Sequence, residues 1–420
     1  MFKFSKKGIC ICIVAMCIAS FIVYFLTSCN GNINTSGEDS SANSDTVINL
    51  PSTDDRSKPK KGIIIFDGSS SMKGYVDATT AGNFQTVIGK LNNMGETTES
   101  YTFDTIKTPI KDFLSKIQNK NIKWANESDL FAMIQEIMMR GAAEPSNVYM
   151  LITDGIISGS NKEIKADPSY NVSKPSLLSS RIEKIISSLP KESEISLLVA
   201  KWDTPFNGTY YEYDNNKRVL RNESRPFYVV VVGNKDMVAY ANSILNTVDG
   251  IQSVEYGTTY SISVKLTNGI FKGKNHYKQD ADMKSEGITA ELNLKSLPAY
   301  ARNLNYLKKN LEIVKTIGKE KKNTRILSHE ENGDYELTLD GTTLSVKFAE
   351  NIKNQLPASF EFRIKRSQPQ WVMDAVTHDD KMGYSPTKTF NLDYFLNPFL
   401  KLNDKNMLND SDKSIIEITK

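Results

Sequence analysis

The chain has 420 residues, 39% of them hydrophobic and 24% charged, with 52 Lys and Arg against 49 Asp and Glu for a formal net charge of +3. That length and apolar content suffice for two to three globular domains and exclude a disordered or collagen-like chain. Near-neutrality excludes a global field for nucleic acid or an acidic polymer, so any partner has to be argued from a local feature.

Lys3, Lys6 and Lys7 precede an uncharged run from Gly8 to Ser28 that ends in Leu26-Thr27-Ser28-Cys29. A basic start, an apolar stretch and a small-residue end have the form of a secretory signal. The final tetrad resembles the bacterial lipobox, which implies a leader over residues 1–29 and lipidation of Cys29. The alternative is a plain transmembrane helix, because about 20 apolar residues also span a bilayer. Either reading places the remainder of the chain outside the cytoplasmic membrane, at the cell surface or facing a periplasm. Cys10, Cys12, Cys17 and Cys29 are the four cysteines of the chain. Beyond Cys29 it therefore offers neither a disulfide nor a thiol nucleophile. Residues 30–59, dominated by Asn, Ser, Thr, Asp, Gly and Pro, read as a flexible linker that cannot bury enough apolar surface to offset its ordering entropy.

The most informative stretch comes next. Ile63-Ile64-Ile65-Phe66 is a continuous apolar run rich in β-branched residues, which predicts a strand buried on both faces of a parallel sheet. Asp67-Gly68-Ser69-Ser70-Ser71 follows it at the C-terminal edge, where open α/β sheets bind ligands. One carboxylate and alternate hydroxyls are hard oxygen donors of the kind preferred by Mg²⁺, Mn²⁺ or Ca²⁺. The pattern Asp67-x-Ser69-x-Ser71 resembles the metal-ion-dependent adhesion site of von Willebrand factor A domains.

Further along, Phe84, Val87, Ile88 and Leu91 predict an amphipathic helix over about 80–93, Ser100 to Thr105 a short strand, and Ile110, Phe113, Leu114 and Ile117 a second helix ending before Asn119. Leu130, Met133, Ile134, Ile137 and Met138 predict a third helix, with Ser128 as its N-cap. Val148 to Thr153 reads as another buried strand, and it too ends in a carboxylate and a glycine, Asp154-Gly155. A helix over 175–189, strands over 195–200 and 227–232, and a helix over 235–245 complete an alternating pattern. Between Val199 and Phe227 no helical period is present, and a β-hairpin insertion is expected there.

From about Ile251 the apolar period changes to two: Ala290, Leu292 and Leu294; Tyr335, Leu337 and Leu339; Leu344, Val346 and Phe348; Phe360, Phe362 and Ile364. Asp340-Gly341 between two of these runs signals a tight turn. A helix is expected over 300–317, with Leu304, Leu307, Leu311 and Val314 on one face. The basic residues from Arg302 to Arg325 read as a solvated face, and Phe390 to Leu400 as core or interface.

The expected fold is thus α/β: a doubly wound, mostly parallel, Rossmann-like sheet over 60–250, followed by a β-rich, sandwich-like domain over 251–420. The resemblance, which covers roughly 60–250, implies that Ser69, Ser71 and Ser128 ligate a divalent cation directly and that Asp67 and Asp154 do so directly or through water. Ser128 stands where the family usually has a threonine. The resemblance also implies an open position filled by an acidic residue of a protein partner, with Mg²⁺ as the first choice of cation and Mn²⁺ or Ca²⁺ as alternatives. The expected protein is a lipid-anchored adhesion or binding protein with no nucleic-acid partner, or else a scaffold subunit of a membrane complex with a structural or degenerate site. Catalysis is not expected. A phosphotransferase of the haloacid-dehalogenase type wants a second Asp where Ser69 stands, and His276, His329 and His378 are too dispersed for zinc chemistry.

Overall fold

The computed structural model describes residues 58–420 except 79–81, 104–106, 126–128, 158–174, 191, 213–215, 319–322, 331–332, 404–405 and 409–413. The leader, Cys29, most of the linker and Ser128 lie outside the described residues.

Strand β1 (Lys61–Asp67) is buried from its second residue to its last. Because side chains alternate across a strand, Ile63 and Ile65 enter one core, and Ile64 and Phe66 enter another on the opposite face. Strands β2 (Thr97–Phe103), β3 (Lys107–Pro109), β4 (Val148–Thr153), β5 (Ile195–Tyr211), β6 (Lys217–Asn234) and β7 (Gln252–Tyr256) join it in the order β3-β2-β1-β4-β6-β5-β7. Helices cover both faces. Packed on the face of Ile64 are α1 (Lys73–Asp77), α2 (Asn83–Leu91) and α3 (Phe113–Gln118). The opposite face carries α4 (Leu130–Ala143) and α5 (Pro175–Ser187), and α6 (Lys235–Leu245) returns to the first. Burying each Ile, Leu or Phe of these stripes contributes on the order of 2 kcal/mol, which is why helices with so regular an apolar face dock rather than fray.

The sheet is mixed, not mostly parallel. Parallel pairing is confined to β2–β1 and β1–β4, while β2–β3, β4–β6, β6–β5 and β5–β7 are antiparallel. The cause is the segment without helical period: β5 and β6 form one long hairpin, and a hairpin can only return antiparallel. Its outer half runs well beyond the sheet. The N-cap of α4 also differs from expectation. Asp129, not Ser128, caps it, accepting from Ala132 N at 3.0 Å, and its charge favours the positive end of the helix dipole.

The later residues build two further sheets around one core. Strands β8 (Ser263–Leu266), β9 (Ile270–Gly273), β10 (His276–Lys278), β11 (Thr289–Asn293), β12 (Leu311–Ile317), β13 (Asn323–Leu327), β14 (Tyr335–Asp340), β15 (Thr343–Phe348) and β16 (Ala358–Ile364) precede the two-residue pair β17 (Val376–Thr377) and β18 (Thr389–Phe390), and β19 (Ile415–Thr419) comes last. The sheets have the orders β13-β12-β16-β19-β10-β9 and β14-β15-β11-β8. The Asp340-Gly341 turn joins β14 to β15, with Gly341 at φ 56°. The helix expected over 300–317 is only half present: α7 (Leu304–Asn310) stops where β12 begins. Leu304, Leu307, Leu311 and Val314 fit a helical stripe, but β-branched Ile313, Val314, Thr316 and Ile317 favour the pleated sheet, where β12 pairs on both sides. Lys315 consequently leaves the solvated face and is buried. Helices α8 (Gln370–Asp374) and α9 (Leu392–Leu396) send Val372, Leu392, Phe395 and Leu396 into the core on the α4–α5 face of the seven-stranded sheet, with Phe399 beside them.

Candidate metal centre

The strand order reverses direction across β1, whose neighbours β2 and β4 both run parallel to it, and the crevice at such a switch point is where doubly wound sheets bind ligands. Phe66 is in register with Ile152, so the next residues along, Asp67 and Thr153, emerge side by side. Thr153 Oγ1 donates to Asp67 Oδ2 at 2.8 Å and accepts from Gly155 N at 3.1 Å. Gly155 has φ +72°, a left-handed turn that suits glycine.

The Asp67 loop folds back on its own carboxylate. Ser69 N donates to Asp67 Oδ1 at 3.0 Å, and the hydroxyls of Ser69 and Ser71 lie 2.9 Å apart. Ser70 points the other way, its Oγ donating to Ala125 O at 2.7 Å, while Ala125 N donates to Gly68 O at 2.8 Å. Both described residues that flank 126–128 are thus anchored, Ala125 to this loop and Asp129 as the cap of α4. Ser128 itself lies outside the described residues.

Asp154 is enclosed, at 1% exposure. Its Oδ1 accepts from Ile156 N at 3.0 Å, whereas Oδ2 is buried with no hydrogen bond. Burial, and then the nearby charge of Asp67, push the Asp154 carboxyl up to about 7, against the pull of the Ser71 hydroxyl, Ile156 N–H and Arg225. Asp67, Ser69, Ser71 and Asp154 therefore converge on one small volume, and all four are buried. Two carboxylates at close quarters, one with an orphaned oxygen, beside a pair of hydroxyls, match the donor preference of a hard divalent cation rather than of zinc or copper. Among the described residues no cluster of three or more His, Cys, Asp or Glu side chains is arranged to hold a metal, so any cation here would rely on the serines.

The hairpin supplies what sequence reasoning missed. Tyr228 on β6 is in register with Thr153, and β6 continues back past the end of β4 to Arg225. Arg225 is at 1% exposure, its carbon Cζ 4.2 Å from the Tyr210 ring centre and 5.8 Å from that of Phe206. Its Nη1 and Nη2 make no hydrogen bond. The hydroxyls of Tyr75 and Tyr210, then the Asp154 carboxyl and the Tyr384 hydroxyl, act on it electrostatically. Nothing in the run Arg225-Pro226-Phe227 marks the arginine as buried; a charge at the head of an apolar strand ordinarily reads as its solvated start.

No protein-family model, no curated protein and no solved structure matches the chain. Among the described residues no helix is long and apolar enough to cross a membrane.

Proposed function

We propose that the edge formed by Asp67, Ser69, Ser71 and Asp154 is a divalent-cation site of von Willebrand factor A type, on a bacterial lipoprotein anchored through Cys29 and exposed outside the cytoplasmic membrane. The seven-stranded sheet with its covering helices is then the von Willebrand factor A domain, and the two further sheets around their own core are the β-rich, sandwich-like domain. The observation that carries it is the convergence of two buried carboxylates and two hydroxyls at the switch point, with Asp154 Oδ2 left without a donor. A desolvated carboxylate oxygen without a partner is costly, and a cation ligand accounts for its persistence.

In this reading Asp67 and Asp154 balance the charge of Mg²⁺, Mn²⁺ or Ca²⁺, and Ser69 and Ser71 add neutral oxygens, with Ser128 as a further donor. The bound cation supplies an electrophilic position that accepts a carboxylate oxygen from a protein partner. The role is binding, not catalysis. One observation favours the second reading, a scaffold subunit with a degenerate site: the guanidinium of Arg225 already supplies positive charge beside Asp154.

Thermal unfolding of the full chain in detergent separates the two. A cation that binds only the folded state raises Tm by mass action, by the equivalent of about 2.7 kcal/mol at a hundredfold excess over Kd. The expected result is a rise with Mg²⁺ or Mn²⁺ over chelator in the wild type and none in Asp67→Ala. A wild type indifferent to millimolar cation supports the scaffold.

A further inference from the structure

Arg225 is buried without a hydrogen bond at either Nη atom. Stacking on Tyr210 at 4.2 Å offsets part of its desolvation. A fully enclosed guanidinium nevertheless needs negative charge within reach. Two buried carboxylates are in its neighbourhood: Asp154, the residue after Thr153, which pairs with Tyr228 three residues on from Arg225, and Asp380, which accepts from the Tyr210 hydroxyl at 2.8 Å.

Chain geometry ties the arginine to the candidate metal loop. Helix α1 follows Ser71 at once, and it presses against the hairpin: a Cβ on Gly74 would fall 2.3 Å from the Phe206 ring. From α1, Tyr75 donates its hydroxyl to Pro226 O at 2.5 Å, on the residue next to Arg225. The Asp67 loop, α1 and the Arg225 strand therefore form one clamped unit, with the Asp154 loop beside it.

We infer that Arg225 is the built-in counter-charge of the Asp67–Asp154 edge, balancing its carboxylates when no divalent cation is bound and lowering the affinity with which one binds. The affinity half of this inference rests on the cation reading proposed above; the charge-balance half does not. Arg225 is a positioning and tuning residue, not a ligand. The long hairpin of β5 and β6 thereby acquires a purpose, because it delivers a fixed positive charge to the ligand edge of the sheet.

The test uses the full chain in detergent, as wild type, Asp154→Asn, Arg225→Met, the double variant and Arg225→Lys. In chelator, Arg225→Met is expected to lower Tm by on the order of 5 °C. Adding Asp154→Asn should restore most of that loss, because the carboxylate left unpaired is then neutral. Strictly additive losses overturn the inference. Should Arg225→Met alone not fold, folding of the double variant carries the same support, and failure of both shows that Arg225 is a packing residue and overturns it. Calorimetric titration with MgCl₂ and MnCl₂ should then show cation binding about tenfold tighter in Arg225→Met than in wild type, with Arg225→Lys within about twofold of wild type. Binding that is unchanged or weaker in Arg225→Met overturns the counter-charge. Absence of binding in wild type and Arg225→Met alike overturns the cation reading instead, so the two failures are distinguishable.

Discussion

Two buried carboxylates in this molecule are treated in opposite ways. Asp334, in the β-rich region and fully enclosed, accepts from Arg325 Nη2 at 2.7 Å and from Ser328 N at 3.0 Å. Asp154, at the edge of the seven-stranded sheet, keeps one oxygen buried and unsatisfied and shares its surroundings with a second carboxylate. A carboxylate whose oxygens are both matched is a structural fastener, complete without any ligand. One left half-matched next to a like charge is held in place by the fold and not for it, and such sites are where function concentrates. The same contrast extends to the sheets that carry them. The first sheet is covered on both faces and ends in polar loops at a switch point; the sandwich encloses one apolar core, and its fully enclosed carboxylate, Asp334, is paired with Arg325.

The largest expected effect comes from breaking the fastener. Asp334→Ala leaves Ser328 N without its acceptor, releases Arg325 and opens a small void, and should cost about 3 kcal/mol. Urea unfolding measures this. The loss should be identical in chelator and in Mg²⁺, because Asp334 belongs to the region without a candidate cation site; a cation-dependent loss would erase the distinction between the two carboxylates.

Thr153→Val tests the other side at a smaller magnitude. The isosteric change removes the donor to Asp67 Oδ2 and the acceptor of Gly155 N, at a cost of about 1–2 kcal/mol in chelator. It also frees a second carboxylate oxygen, so the same urea curves repeated in Mg²⁺ should recover part of the loss. A deficit that Mg²⁺ leaves untouched would mark Asp67 as a fastener of the Asp334 kind.

How much of this contrast is legible in the chain depends on which residues announce themselves. The apolar runs of β1 and β4 and the polar clusters after them are plain, because strands buried on both faces need continuous apolar sequence. Helix α6 is equally plain, with Asn234 capping it by accepting from Met237 N at 2.9 Å. The segment over 311–317 is not, since Leu311 and Val314 continue the helical stripe of Leu304 and Leu307 while Leu311 and Ile313 alternate as in a strand, and only pairing with β13 and β16 decides between them. Least legible is Arg225. Its burial depends on a hairpin contact with α1 and on Tyr384 from far along the chain, and local sequence carries no trace of either. Ser128 reads as a further oxygen donor from the resemblance alone and lies outside the described residues.

A weaker cap effect refines the picture on the α4 side. Asp129→Ala removes the bond to Ala132 N and should lower stability by about 1 kcal/mol. Because α4 packs under the site edge without supplying a described ligand, calorimetric cation affinity should stay within about twofold of wild type. A larger loss would show that the start of α4 positions the site.

The smallest effect is a matter of pH. Lys315 on β12 is buried in the sandwich, where it donates to Gln355 Oε1 at 2.5 Å. Burial, and then the positive charge of Arg325, lower its ammonium from 10.5 to about 8, with Asp334 pulling the other way. In the unfolded chain the lysine holds its proton to the ordinary value, so between about pH 8 and 10.5 the unfolded state binds more protons than the folded one. Stability from this group therefore rises with pH through that window and is lost again as pH falls back through 8. Lys315→Met should remove the rise, and at pH 7 it should leave the protein as stable as wild type or more stable by about 1 kcal/mol, since an apolar chain of similar length needs no counter-charge. Urea midpoints at pH 7, 8 and 9 measure it. A midpoint flat across that range in the wild type would mean that Lys315 stays charged in the folded sandwich, and the β-rich region would then hold an unbalanced buried charge of its own.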